Sequence, residues 1–187
     1  MKGIVMNLLA EMVEQQFGMA AWNQVLKAAE LEGAYTSAAL YADSELQTLV
    51  GLLSQQHQIP ADDLVFAFGR FMFPAFVERY PLLLEKLPGF LPFLEAIDSV
   101  IHVEVRKIHP DATTPTFHHQ RLSSTVLLLE YHSARQLCRL AEGLIDAVAS
   151  YYGATYQLAH GPCLRHGGSH CGLLVTLTGA TATEASA

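Results

Sequence analysis

The run Val126-Leu127-Leu128-Leu129, followed closely by Tyr131-His132-Ser133-Ala134-Arg135, constrains this chain more than any other stretch. As an extended segment it alternates, so Leu127, Leu129, Tyr131, Ser133 and Arg135 share one face. On a helix, residues two apart point to opposite sides and the three polar groups would not converge. Extended, Tyr131 and Arg135 lie about 13 Å apart at roughly 3.3 Å per residue. The face is apolar at one end and finishes in a phenol, a hydroxyl and a guanidinium. Such a surface suits a flat apolar ligand with carboxylates along one edge, of which a porphyrin is an example. Arginine supplies a planar fork, the hydroxyls single donors. The plainer reading uses the same residues. Ser133 and Gln136 have capping-box spacing, so Ser133 would open the next helix, Arg135 would be a solvated charge and Tyr131 an edge-strand residue.

The 187 residues suffice for one domain, with two lobes at most. At 51% hydrophobic and 16% charged, the chain has apolar surface to spare for a ligand. A net charge of −7 argues against nucleic acid as a partner. No stretch reaches the ~18 uninterrupted apolar residues of a membrane span. Glu11 comes too early for a secretory h-region. The chain therefore reads as cytosolic, and its three cysteines as reduced thiols or metal ligands.

Val5, Leu8, Leu9, Met12 and Val13 form a helical stripe over 3–17 that ends at Gly18. A second helix spans 20–29 and carries Trp22. Ser44 and Gln47 form another capping box, opening a helix through Leu46, Leu49, Val50 and Leu53 that stops before Pro60. Asp62 and Asp63 suit the start of the next helix. It holds Phe66, Phe68, Phe71, Phe73 and Phe76 and should break or kink near Pro74. That cluster reads as core, with the wall of an apolar pocket as the alternative. Pro81, Pro88 and Pro92 mark a connector. From Phe90 the spacing of Leu94, Ile97, Ile101 and Val105 predicts one further helix. His102 lies beside that stripe, with Asp98 and Arg106 one turn away on either side. A single histidine in such a place is commonly a packed residue, yet imidazole on a rigid helix is also a suitable ligand for haem iron.

Beyond Pro110 the pattern predicts strands over 115–121 and 124–132, a helix over 134–152 closed by Gly153, and strands over 154–162 and 170–178. The helix buries Leu137, Leu140, Ala141, Leu144 and Val148. The class is α+β: a helical N-terminal lobe (about 1–60), a lobe with a small antiparallel sheet and packed helices (61–180), and a frayed tail (181–187).

Together the opening Met1-Lys2-Gly3-Ile4-Val5, the helical His102, Pro115 and the Tyr131-x-Ser133-x-Arg135 set resemble the H-NOX domains, the haem-binding nitric oxide/oxygen sensors. The resemblance covers essentially the whole chain. It implies haem b between the lobes and His102 as the proximal iron ligand. Tyr131, Ser133 and Arg135 would hold the propionates, and Pro115 would press on the porphyrin. Oxygen-binding members use a distal tyrosine, which by register corresponds to Leu140 here. With Leu144, Val5 and Leu9 also apolar, the resemblance implies binding of nitric oxide and carbon monoxide without a stable oxygen complex. Nitric oxide would weaken the bond to His102, free its helix and shift the lobes. The chain ends without a kinase or cyclase module, so it resembles the stand-alone bacterial form that reports to a separate histidine kinase or diguanylate cyclase. No P-loop or kinase signature is present, and the chain reads as a sensor, not an enzyme.

The cysteines point to a second metal. His160-Gly161-Pro162-Cys163 ends one strand, Cys171 begins its partner, and Cys138 sits on the preceding helix. Together they suit a tetrahedral Cys₃His zinc site of structural type. His166 and His170 are rivals for the fourth position, and three buried cysteines without metal are the alternative. Two other functions compete with sensing. A peroxidase-type haem enzyme needs a distal His and Arg, but His57 has no arginine near it in sequence. A zinc-bound module for an apolar ligand is the other.

Overall fold

Leu127, Leu129 and Tyr131 alternate inward along β2 (Val126–His132), the strand on which the sheet is laid. The computed structural model describes residues 1–81 and 87–179. The other strands are β1 (Thr116–Arg121), β3 (Thr155–His160) and β4 (Cys171–Gly179), in the order β1-β2-β4-β3, with every pair antiparallel. Register aligns Phe117, Tyr131 and Cys171 across three strands, and all three are buried. On the opposite face His118 is exposed, while Glu130 and His132 are half-buried. One helix-bearing segment, α5 (Phe90–Ala96), packs Phe90 against Tyr156 with ring centroids 5.4 Å apart. Glu95 of α5 takes both an Nε and an Nη hydrogen bond from Arg121 of β1, each 2.8 Å. Ile145, Val148 and Ala149 of α7 (Cys138–Tyr152) are buried, and Gly153, in the left-handed conformation, closes that helix.

Two compact units emerge: Met1–Ala75 with Arg139–Leu144, and Phe76–Cys138 with the chain from Ile145 on. The first contains α1 (Gly3–Phe17), α2 (Met19–Ala29), α3 (Asp43–His57) and most of α4 (Ala61–Arg79). Its core is Met6, Leu9, Met12, Val13, Trp22, Leu49, Leu53 and Phe68. The short segment of α7 joins this unit because two helices meet there at glycine. A Cβ on Gly69 would overlap the Leu140 carbonyl, and one on Gly143 the Phe66 carbonyl. Backbone approaches this close exclude any other residue. The first unit therefore runs past residue 60, where the sequence pattern places the boundary.

Several local expectations change. Ser44 caps nothing: α3 begins at Asp43, and Ala42 stands at the cap without a side-chain bond. The helix gains from Asp43 and Glu45 meeting its positive end instead. α4 continues through Pro74, with Met72 and Phe73 buried just before it. The expected single helix from Phe90 is three segments. A π-helical turn, Ile97–Ile101, separates α5 from α6 (His102–Ile108), and the His102 N–H donates back five residues to Ile97. The expected helix at 134 starts only at Cys138, because a turn with Gln136 at φ 53 intervenes. The tail from 180 and residues 82–86 of the proline-rich connector lie outside the described residues.

Candidate functional site

His102 owes its position to the π turn. One extra residue in the helical path offsets α6 from α5, which is the usual consequence of such a bulge. Its Nδ1–H donates to Asp98 Oδ1 at 3.2 Å, one turn back. A carboxylate can only accept, so the proton belongs on Nδ1 and the Nε2 lone pair remains for a metal. The side chain is 14% exposed. Burial pushes its pKa below the ordinary histidine value, against the pull of Asp98 and the Pro115 carbonyl, and so favours the neutral, ligating form. Ile97, Ile101 and Val105 remain half-buried apolar surface on the same stretch.

Pro115 leads into β1, close enough to His102 for its carbonyl to act on the ring. Phe117, which the sequence pattern did not single out, lies between the two key residues, tilted to one ring and edge-on to the other. Its centroid is 5.9 Å from His102 and 5.3 Å from Tyr131. The signal for it was the inward phase of β1, the position directly opposite Tyr131.

The Tyr-Ser-Arg group is gathered by a turn, which corrects the extended arrangement. β2 ends at His132, so Ser133 and Arg135 do not share a strand face with Tyr131. Ser133 Oγ accepts from the Arg135 N–H at 3.2 Å, and the Ser133 carbonyl accepts from Gln136. Ser133 therefore closes a turn and caps no helix. Tyr131 is 3% exposed, and its oxygen accepts the Leu137 N–H at 3.2 Å. Burial raises its pKa, partly offset by hydrogen bonds with Ser133 and Leu137, so the phenol keeps its proton for donation. Arg135 Nη1 donates to the Thr113 carbonyl at 2.7 Å, and a guanidinium carries five N–H donors in all. The residues fit a haem: one imidazole with its outer nitrogen oriented by a carboxylate, apolar surface beside it, and an anion-binding group within a few residues of a buried tyrosine.

The proposed distal positions belong to the first unit. Leu9 of α1 is buried, while Val5 and the two α7 residues Leu140 and Leu144 are half-buried. His57 stacks on Phe17 at 4.0 Å between centroids.

Cys138, His160, Cys163 and Cys171 offer ligand atoms that all lie within 4.8 Å of one another. His166, in a short 3₁₀ turn, and His170 fall outside that group. Cys163 Sγ is 3.9 Å from Cys138 Sγ and 3.7 Å from Cys171 Sγ. Thiolates 2.3 Å from a tetrahedral zinc are separated by about 3.8 Å, whereas a disulfide requires about 2.05 Å. The Leu164 N–H donates to Cys171 Sγ at 3.3 Å. Burial pushes the Cys138 thiol up to about 12 and that of Cys171 upward as well. At Cys163 burial acts the same way but is outweighed by the Arg165 N–H and the neighbouring thiols, which hold it below the ordinary value. Cys138 and Cys171, disfavoured as thiolates by burial, gain from a compensating cation, and a divalent ion fits the donor set.

Among the described residues no helix is long and apolar enough to cross a membrane. The model of the haem-NO-binding family matches residues 2–160. An H-NOX protein from S. oneidensis in the Fe(II)NO ligation state is 36% identical, with a TM-score of 0.91 over 96% of this chain and 100% of that one. The IWP-051-bound H-NOX from Shewanella woodyi in the Fe(II)CO state is 33% identical, covers 97% of each chain and has a TM-score of 0.84. Unliganded Fe(II) H-NOX from K. algicida is 28% identical, with a TM-score of 0.90 over 97% of this chain and 98% of that one.

Proposed function

The chain belongs to the haem-NO-binding (H-NOX) family, a family of haem-binding gas sensors and not of enzymes, and from that premise we propose that it senses nitric oxide through haem held by His102. The observation that carries this reading is the His102–Asp98 pair, which leaves one imidazole nitrogen for iron beside the half-buried apolar residues Ile97, Ile101 and Val105. Bound haem supplies a ferrous iron able to take diatomic gases. Tyr131, Ser133 and Arg135 would hold its propionates, and Pro115 would bear on the porphyrin. Selectivity rests on Val5, Leu9, Leu140 and Leu144, none of which offers a hydrogen-bond donor to a polarised ligand. Nitric oxide and carbon monoxide are the ligands of the Shewanella relatives, and neither develops the charge on its outer atom that would call for such a donor. Were the ligand to weaken the hold of iron on His102, the π turn and α6 would be the local two-state element released, for a separate histidine kinase or diguanylate cyclase to read. A reducing cytosolic location agrees with three free thiols.

Two measurements test this. His102→Ala should purify without stable haem unless imidazole is added, and full haem retention would reject the ligand assignment. Ferrous wild-type protein moved from argon into air should show no persistent spectral change short of oxidation. A long-lived new spectrum would mean that a distal donor exists.

The same family reading is compatible with a structural zinc held by Cys138, His160, Cys163 and Cys171, supported by the 3.7 and 3.9 Å sulfur separations. Metal analysis of reduced protein should find close to one zinc per chain, falling in Cys163→Ser. Absence of zinc from reduced wild type would remove this ion and leave the haem reading intact.

A further inference from the structure

The sheet carries a second cluster on the face turned away from Tyr131 and Cys171. Strand phase puts it there: His118 lies opposite Glu130 across β1 and β2, His132 is two residues on from Glu130, and His170 directly precedes Cys171. Since Phe117, Tyr131 and Cys171 point inward, their neighbours His118, Glu130, His132 and His170 gather on the outside. We propose that Glu130, His132 and His170, with His118 as a fourth donor, bind a divalent cation of the zinc, copper and nickel class.

Glu130 divides its two oxygens between two imidazoles. Oε2 lies 3.9 Å from His132 Nε2, and Oε1 lies 3.9 Å from His170 Nε2. Neither separation is a hydrogen bond. Both are slightly wider than the about 3.3 Å that separates two ligands bound 2.0–2.1 Å from a tetrahedral ion. The carboxylate thus stands between the two imidazoles, with one oxygen facing each ring nitrogen. His132 Nε2 is shielded from solvent and has no hydrogen-bond partner among the described residues, a cost that a metal would remove. The His132 ring is flanked on both sides, by His118 at 5.3 Å and His170 at 5.4 Å between centroids. His170 is oriented from behind, its Nδ1 lying 3.1 Å from Ser169 Oγ, so that its Nε2 faces the carboxylate. That is how metal-binding histidines are commonly fixed.

Imidazole and carboxylate donors select borderline divalent cations over calcium or magnesium. Without sulfur, this site would keep its ion when the thiols of the Cys138 group are oxidised. The proposal stands independently of the haem reading.

Zinc chloride titrated calorimetrically into the full-length, haem-loaded chain, already carrying one equivalent of zinc, tests it. One further saturable equivalent is expected. His132→Ala and His170→Ala should each weaken it at least tenfold, while His166→Ala leaves it unchanged. Glu130→Gln, nearly isosteric, gives the same readout should a histidine variant fail to fold. In wild type the ring protons of His118, His132 and His170 should shift in proportion to that equivalent. No saturable second event, or binding weakened equally by His166→Ala, would show only adventitious attachment to surface histidines and overturn the proposal.

Discussion

At His102 the decisive partner is one turn back. Asp98 holds Nδ1–H and thereby fixes both the tautomer and the rotation of the ring. Outer-shell partners of this kind typically contribute 10–100-fold to metal affinity. Asp98→Ala should therefore still take up haem but surrender it to apomyoglobin about 10–100 times faster than wild type. An unchanged transfer rate would mean the carboxylate merely neighbours the ring. The sequence already showed Asp98 at i−4 and the inward phase of Leu127, Leu129 and Tyr131, because helix and strand periods determine both. Its strand limit at 132 already put Ser133 and Arg135 beyond β2, but it gave them to a helix and not to the turn that carries them. That depends on Gln136 adopting φ 53, a conformation with no local signature in a glutamine. The grouping of His160 with Cys163 and Cys171 was legible for the opposite reason: antiparallel pairing of β3 and β4 brings the end of one strand beside the start of the next.

The π turn is the feature of the helices that pattern reading missed. Leu94, Ile97, Ile101 and Val105 fit an uninterrupted α-helix, and apolar spacing is blind to one extra residue in the hydrogen-bond ladder. Yet that residue decides where His102 points. Deleting Ser99, an exposed residue inside the turn, should restore the α register and rotate α6 relative to α5 by roughly 100°. The variant is expected to keep its helical circular dichroism and lose haem. If it binds haem as wild type does, the π turn has no part in placing the ligand.

For the molecule as a whole, chain order and spatial grouping disagree. The first unit needs Arg139–Leu144, whose Gly143 backbone lies against Phe66 of α4 while Leu140 lies against Gly69. A fragment of residues 1–75 should consequently be much less stable to urea than the same region in the full chain. A fragment with the full chain's midpoint would show that the α7 segment adds nothing. This grouping was not legible in the sequence, since an isolated glycine in a helix reads first as a weakness and only the partner helix reveals its use.

The same discontinuity has a consequence in time. A ribosome adding 5–20 residues per second releases residue 75 and then needs about 3–13 s to reach residue 139. Through that interval the Phe66–Gly69 side of α4 has emerged without the strand of chain that will cover it. The N-terminal helices thus pass a waiting period during synthesis, in which a nascent-chain chaperone would find its binding surface at α4 and lose it when α7 arrives.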